Sequence, residues 1–372
     1  MAIDLFRATY VPTIFLRNAE LRAVEELPEG VKDSLTPIFW LKPIPNAKHL
    51  SKAIEKIEDA FGDERKYFLE IDPFYNVDDA KKRKPAHDEF EKLIDGENDN
   101  ENWVSFFEDH PNAFPCLQVD YANADSVRAQ AAAFTDMERA FLVRFSHLHA
   151  SGKNWAEIVD AVCETQHTNF GFVVDVEWGN DILSRAAWAD AIVKRIVQLR
   201  GDSIPVILSG SSFPDSFTQY EEGGSANVDE RVLFNNLIAN NNEARLIYGD
   251  WASSRSPTEG GGGGNPIPPR IDLSTQNTWE IYRVRDEDGG FPAAAKAAMA
   301  SRNYPKDLGI WATYVIAATA IDDPTGLKKE RDQNAIKSLA RATAARINLH
   351  LYTQMNFGNF DPAPDTDDEF QE

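Results

Sequence analysis

Two carboxylates spaced two residues apart, Asp175 and Glu177, lie at the end of a short apolar run that begins at residue 170. The run is rich in Val and Phe, which is typical of a strand buried on both faces. Because side chains i and i+2 of a strand share a face, both carboxylates are expected to emerge together. Crowded carboxylates can raise each other's pKa and act as general acid and base, and they can also hold Mg²⁺ or Mn²⁺.

The same design, an apolar strand that ends in polar residues, recurs along the chain. Apolar runs predict strands at residues 10–16, 35–41, 66–71, 114–119, 140–145, 170–176, 204–209 and 245–248. Helical periodicity separates most of them, at residues 19–27, 50–61, 125–137, 155–163, 185–199 and 229–239. Eight such units predict an α/β fold, a (β/α)₈ TIM-like barrel. A doubly wound open sheet is the alternative, which the lack of a Gly-rich nucleotide motif disfavours.

In a barrel of this kind, the carboxyl ends of the strands gather around one mouth, where active sites are built. Acidic residues at these ends are candidates for acid, base or metal-ligand roles: Glu70, Asp72, Asp120, Asp175, Glu177 and Asp250. Candidates for ligand binding are Arg17, Glu20, Lys42, Arg144, Ser209, Ser211 and Trp251. Arg17, Lys42 and Arg144 could clamp a phosphate or carboxylate. The competing interpretation is that these cations pair with the strand-end acids and only close the barrel mouth.

The predicted barrel occupies residues 1–256 and carries a highly charged insertion at 78–102, interpreted as a solvated loop or helix face. Residues 257–269, which include five consecutive glycines, predict a flexible loop. Residues 270–358 predict a β-hairpin, with a turn near 275–278, and helices over 292–302 and 328–356 that pack on the barrel. The acidic tail at 359–372 is predicted to be disordered.

Composition narrows the function classes. A net charge of −22 over 372 residues argues against direct binding to nucleic acid or to an anionic membrane. Acidic mimicry of nucleic acid is the weakest possibility, because Lys and Arg are interspersed with the acids. Cys116 and Cys163 lie in apolar contexts and are interpreted as buried free thiols. With neither a signal segment nor a membrane-length apolar run in the sequence, a cytoplasmic protein is expected.

Several short motifs resemble the beta family, named for a bacteriophage protein called beta. They are Tyr10, Pro12, Arg17, Glu20, Ala23 and Pro37 near the start, YGDWAS at 248–253, TWEIYRVR at 278–285, and a late segment with Arg346 and His350. Arg17 departs from the Lys that many relatives have, which keeps the charge but alters the contact geometry. The resemblance implies a phage- or mobile-element-associated protein and adds weight to Arg17, Glu20, Asp250 and His350, without assigning them roles.

Two functions follow from these observations. The first is a polar pocket that binds or hydrolyses a small anionic or phosphorylated molecule, with Mg²⁺ or Mn²⁺ as a possible cofactor. The second is a non-catalytic module that binds another protein in phage–host conflict, in defence or counter-defence. Whether the protein is an enzyme stays open at this stage.

Overall fold

A computed structural model describes residues 3–75, 83–165, 168–220, 223–257, 268–321 and 335–358. Its centre is a parallel sheet of eight strands. These are β1 (Tyr10–Phe15), β2 (Ile38–Leu41), β3 (Tyr67–Ile71), β4 (Ala113–Pro115), β5 (Phe141–Ser146), β6 (Phe170–Trp178), β7 (Val206–Ser211) and β9 (Leu246–Asp250). All eight predicted strands are present, each within a few residues of its predicted bounds.

The sheet is nearly closed into a barrel. The hydrogen-bonded order is β4-β3-β2-β1-β9-β7-β6-β5, so that β4 and β5 are its two ends. These ends meet at a parallel bridge between Cys116 and Leu142, and the Leu117 N–H donates to the Leu142 carbonyl over 2.8 Å. The prediction of a (β/α)₈ barrel is therefore confirmed, and the open-sheet alternative is disfavoured by this contact.

Inside the barrel, side chains are arranged in layers. The lower layer is apolar and is closed at the amino ends of the strands by Ile3, Leu5 and Ala8. Its strand residues include Val11, Ile38, Phe68, Phe114, Leu142, Val173, Ile207 and Ile247. Residues two positions further along a strand point to the same face. The layer above therefore contains polar residues. Glu70, Arg144 and Asp175 follow Phe68, Leu142 and Val173, respectively, by two positions.

Helices surround the barrel and bury its outer face. Along the chain they are α1 (Asn18–Glu25), α2 (Glu29–Ser34), α3 (Ser51–Phe61), α4 (Pro85–Ile94), α5 (Glu101–Phe106), α6 (Ala124–Asp136), α7 (His147–Ala150), α8 (Trp155–Cys163), α9 (Ala186–Arg200) and α10 (Asp229–Asn240). The large core between helices and sheet includes Ile57, Phe134 and Ile192. The six predicted barrel helices are all present, because each has apolar residues at helical spacing on one face.

The predicted insertion at 78–102 contains α4 and the start of α5, and residues 76–82 lie outside the described residues. It is not only a solvated surface. Phe90 and Trp103, the latter just beyond its predicted end, are buried, and the Trp103 indole donates to the Cys116 carbonyl over 3.0 Å. This segment therefore packs beside β4.

After the barrel, the predicted hairpin is formed by β10 (Arg270–Ser274) and β11 (Thr278–Arg283), which pair antiparallel. A further strand, β8 (Gly224–Asn227), joins β11 from inside the barrel sequence and makes this a three-stranded sheet. Its polar sequence, Gly-Ser-Ala-Asn, has no apolar alternation, which explains why the pattern does not predict it.

Three helices complete the described chain: α11 (Gly290–Met299), α12 (Trp311–Ala320) and α13 (Leu339–Met355). The sequence prediction omits α12, whose residues are nearly all apolar and so show no helical periodicity, although they pack into a separate core with α11 and α13. Of the helix predicted at 328–356, the described residues form α13, and Ser338 caps it by accepting the Arg341 N–H. Residues 322–334, the glycine run within 258–267 and the tail at 359–372 lie outside the described residues.

Candidate active site at the carboxyl end of the barrel

The polar layer inside the barrel is centred on the Arg144 guanidinium. Its Nε donates to Glu70 over 2.7 Å, one terminal nitrogen donates to Asp175 over 2.8 Å, and the other donates to Thr13 over 2.8 Å. These residues follow the apolar floor by two positions on β1, β3, β5 and β6, which explains why they meet. Burial raises the pKa of Glu70, and the neighbouring Arg144 charge offsets part of that rise.

Aromatic side chains surround this ion cluster. Trp40 donates its indole N–H to Glu70 over 3.1 Å, and Trp251 donates to both oxygens of Asp175 over 3.2 and 3.1 Å. The two indoles are in edge contact with a centroid distance of 4.8 Å, and Phe15 packs against both. Toward the mouth, Phe74 stacks on Trp40. The rings exclude water from the charges and so strengthen the interactions among them.

Glu177 has a different environment from the rest of the cluster. The pairing of β6 with β7 shifts register between Asp175 and Trp178, so Glu177 lies in a β-bulge, with a left-handed φ of 59°. Its carboxylate accepts the Leu148 N–H over 2.9 Å. Burial, together with the charge of Asp175, raises the pKa of Glu177 to about 7. A carboxyl with this pKa exchanges protons readily near neutral pH.

A cavity of about 450 Å³ opens above these residues at the carboxyl ends of the strands. Its walls include Glu70, Arg144, Asp175, Glu177 and Trp251, so the structure brings together five of the predicted site residues. The remaining lining is Trp40, Ile71, Pro73, Phe74, Ile94, Cys116, Leu117, Gln118, Val119, Tyr121, Ser146, His149, Lys153, Ser256 and Pro257. The lining comes mainly from the carboxyl ends of β3, β5 and β6 and from the segments that follow β3, β4, β5 and β9.

Asp250 and His350, also predicted for the site, do not line this cavity. Asp250 is fully buried on the outer face of the barrel wall, where it accepts from Tyr10 over 2.7 Å and contacts the His350 Nε2 at 2.7 Å. The His350 Nδ1 lies 2.8 Å from the Ser274 hydroxyl. Burial acts to raise the pKa of Asp250, but the charge interaction with His350 and the hydrogen bonds together hold this pKa below its usual value. The cluster joins β9 to β10 and α13.

The other predicted residues lie around the rim or in the wall, outside the lining. Arg17 is exposed and lies 3.7 Å from the buried Glu20, whose pKa is raised by burial. Lys42 lies 3.4 Å from Asp72. Asp120 is exposed and accepts the Ala122 N–H over 2.9 Å.

The two predicted serines are buried on β7. Ser209 is the sheet partner of Asp175, and its hydroxyl has no hydrogen-bond partner among the described residues. The Ser211 hydroxyl donates to the Ser254 carbonyl over 2.6 Å. Ala252 and Ser253, in the loop that follows β9, have left-handed φ values of 48° and 54°. A tightly turned loop after β9 thus lies against the end of β7.

The predicted anion clamp and metal site can be compared with these contacts. Arg17, Lys42 and Arg144 each lie within salt-bridge distance of a carboxylate of the chain. The Arg144 guanidinium bridges Glu70 and Asp175, the two acids best placed to hold Mg²⁺ or Mn²⁺, so this donor set does not fit a divalent cation. Within the described ranges, no group of three His, Cys, Asp or Glu side chains could hold a metal ion.

Several residues of the site were not predicted: the lining residues Trp40, Phe74, His149 and Lys153, and Thr13, which accepts a hydrogen bond from Arg144. Thr13 and Trp40 could have been found by counting two residues on from the inward-facing Val11 and Ile38. Phe74 lies in a loop and His149 in the short helix α7, where strand alternation no longer indicates direction. The two cysteines are confirmed as free and buried.

The fold and the cavity define a TIM-like (β/α)₈ barrel protein with a polar, aromatic-walled site at the carboxyl ends of its strands. The chain belongs to the Beta protein family, whose family model matches residues 10–356. It is similar to Protein beta of Enterobacteria phage P4, with 26% identity over 358 residues that cover 93% of each chain. No solved structure matches. In the part of the chain that the structure describes, every helix is too short or too polar to cross a membrane.

Proposed function

We propose that the barrel mouth binds a small polar molecule and that Glu177 exchanges a proton with it as a general acid or base. The observation that carries this proposal is a carboxyl group on the wall of a 450 Å³ cavity whose pKa is raised to about 7. Cavities of about 300–1,000 Å³ with aromatic walls and a few polar groups are typical of small-molecule sites.

The surroundings of Glu177 support a chemical role over a packing role. Its side chain is half-buried at the cavity, and its backbone lies in a left-handed conformation that costs a non-glycine residue about 1–3 kcal/mol. Asp175, two residues earlier, accepts the Glu177 N–H over 2.8 Å and is itself held by Arg144 and Trp251. The ion cluster therefore positions the proton-exchanging group.

A ligand screen with a matched pair of variants tests the proposal. Thermal unfolding of the wild-type protein is measured with a library of neutral, cationic and anionic metabolites. A ligand at a hundred times its Kd adds about 2.7 kcal/mol to the free energy of unfolding. For any ligand found, we expect affinity to change with pH between 6 and 8 in the wild type and to lose that dependence in Glu177→Gln.

Glu243→Gln is the control, because Glu243 is exposed and precedes β9, at the opposite end of the barrel. The control variant keeps the wild-type pH dependence if the proposal is correct. A library without a single binder, or a ligand whose pH dependence is the same in Glu177→Gln and in the wild type, would refute it.

A role in phage–host conflict is a separate proposal, supported by similarity to a phage P4 protein and not by a contact in the structure. The non-catalytic, protein-binding alternative stays a prediction. Retrieval of one defined partner by both the wild-type protein and the Glu177→Gln variant would favour it, because such binding would not depend on the cavity carboxyl.

A further inference from the structure

We infer that the ligand of the cavity is a neutral ring that carries hydroxyl groups, and not a phosphorylated compound. This inference rests on the proposed function, in which the cavity binds a small molecule. A free sugar and the ribose of a nucleoside share this chemistry. The inference goes beyond the proposed proton exchange because it states what the cavity accepts, and it depends on the charges, the acceptor atoms and the ring faces that line the cavity.

The charges on the wall disfavour an anion. Three carboxylates line the cavity, those of Glu70, Asp175 and Glu177, beside two permanent cations, Arg144 and Lys153. Each of the three nitrogens of Arg144 already donates to a group of the chain. Lys153 is exposed at the rim. A phosphate that entered the cavity would therefore lie close to carboxylates. The one guanidinium in the wall, that of Arg144, is already paired with groups of the chain.

The acceptor atoms favour a ligand that donates hydrogen bonds. Trp40 and Arg144 both reach Glu70 at the same oxygen, Oε2. No donor among the described residues reaches the other oxygen, Oε1, although the side chain faces the cavity. Hydroxyl groups donate well to a carboxylate, and such charge-assisted bonds are short and strong. A hydroxylated ring would satisfy this oxygen by donating to it, which an ionised phosphate oxygen cannot do.

The aromatic walls favour a ring. Phe74 and Tyr121 are half-buried at the cavity, with Trp40 and Trp251 beneath them. His149, exposed at the rim, lies 5.8 Å from Phe74 between ring centroids. Aromatic faces stack on planar bases and cover the apolar faces of other rings. The volume of about 450 Å³ has room for a sugar or a nucleoside and leaves little for a larger molecule.

Paired ligands test the inference on the wild-type protein. Tryptophan fluorescence and ligand-observed NMR are used to titrate methyl glucoside against glucose 6-phosphate, adenosine against AMP, and uridine against UMP. We expect the neutral member of at least one pair to bind ten or more times more tightly than its phosphate. The sugar pair and the nucleoside pairs distinguish the two sources of the hydroxylated ring.

Two variants test whether the neutral ligand binds in the cavity. Phe74→Ala is expected to weaken the neutral ligand at least tenfold, whereas Tyr314→Ala, which removes an exposed ring from α12, leaves its affinity unchanged. The affinity ratios come from the wild type and hold even if Phe74→Ala fails to fold.

Tighter binding of the phosphates, or no binding by any of the six compounds, would overturn the choice of ligand class. The proposed function would stand through either of these results, since a binder from another class in the wider screen, with a pH dependence that Glu177→Gln removes, still satisfies it.

Discussion

Replacement of Arg144 by Met is the most direct test of the polar layer in the barrel. The change keeps much of the side-chain volume and removes the guanidinium that bridges Glu70 and Asp175. The side chains involved have relative exposures of 5% for Arg144, 0% for Asp175 and 16% for Glu70. Both carboxylates would therefore stay in the interior without the cation that compensates them.

The expected loss follows from this burial. Breaking a buried ion pair by removing one partner costs about 3–5 kcal/mol, because the remaining charge is uncompensated. Without Arg144, the pKa of Glu70, already raised by burial, would rise further. A folded-state pKa above the unfolded value favours folding at low pH. The loss in Arg144→Met should therefore be smallest near pH 5 and grow as the pH rises toward 8.

Urea unfolding at several pH values measures this loss. Arg128→Met is the matched control, because Arg128 also pairs with two carboxylates, Asp125 and Glu164, at the surface. Its side chain is 44% exposed, and solvent screening should keep its loss below about 1 kcal/mol. Adding Asp175→Asn to Arg144→Met should recover at least about 1 kcal/mol, since it removes one uncompensated charge.

Equal losses in Arg144→Met and Arg128→Met would refute the reasoning. So would a loss in Arg144→Met that shrinks as the pH rises, because the uncompensated carboxyls would then not be responsible. Either result would mean that the ion cluster around Arg144 contributes little to the free energy of unfolding. It would then not be a rigid support for Glu177.

Three further predictions follow from buried titratable groups. The pKa of Glu177, near 7, lies above its unfolded value, so ionisation of Glu177 lowers the free energy of unfolding as the pH rises from about 5 to 8. In urea titrations, Glu177→Gln should reduce this pH-dependent loss by about 1–2 kcal/mol. Burial raises the pKa of Glu230 to about 8, above its unfolded value, so Glu230→Gln should be more stable than the wild type at pH 7, and the excess should grow by about 1 kcal/mol between pH 7 and pH 9; a deficit at either pH would contradict this. His350→Ala should cost about 3–5 kcal/mol, because it leaves Asp250 buried without its imidazole partner, while His49→Ala at an exposed pair should cost under about 0.5 kcal/mol.

The barrel was predictable because its strands are short apolar runs separated by helices with one apolar face. Strand alternation explains where Glu70, Arg144 and Asp175 lie, since each follows an inward-facing residue by two positions. The same rule would have excluded Asp250 from the cavity. Asp250 shares the outward face of β9 with Tyr248 and so lies on the outer side of the barrel wall.

There are physical reasons why the positions of the other site residues could not be predicted. The direction of Glu177 depends on a bulge, Phe74 lies in a loop, and His149 lies in the four-residue helix α7, which is too short to show a periodicity. Pairing partners are also invisible in the sequence. The sequence left two interpretations of Arg144, an anion clamp or a partner of strand-end acids, and the structure places it between two carboxylates of its own chain.

The junction between β4 and β5 has a consequence for the local stability of the sheet. β4 is three residues long, and its connection to β5 consists of one bridge at Cys116 and a neighbouring hydrogen bond from Leu117. The segment that follows, residues 116–121, forms one side of the cavity. This joint has far fewer backbone hydrogen bonds than the seven continuous strand pairings of the sheet. Backbone amides at the joint should therefore exchange with solvent sooner than those of β6 and β7.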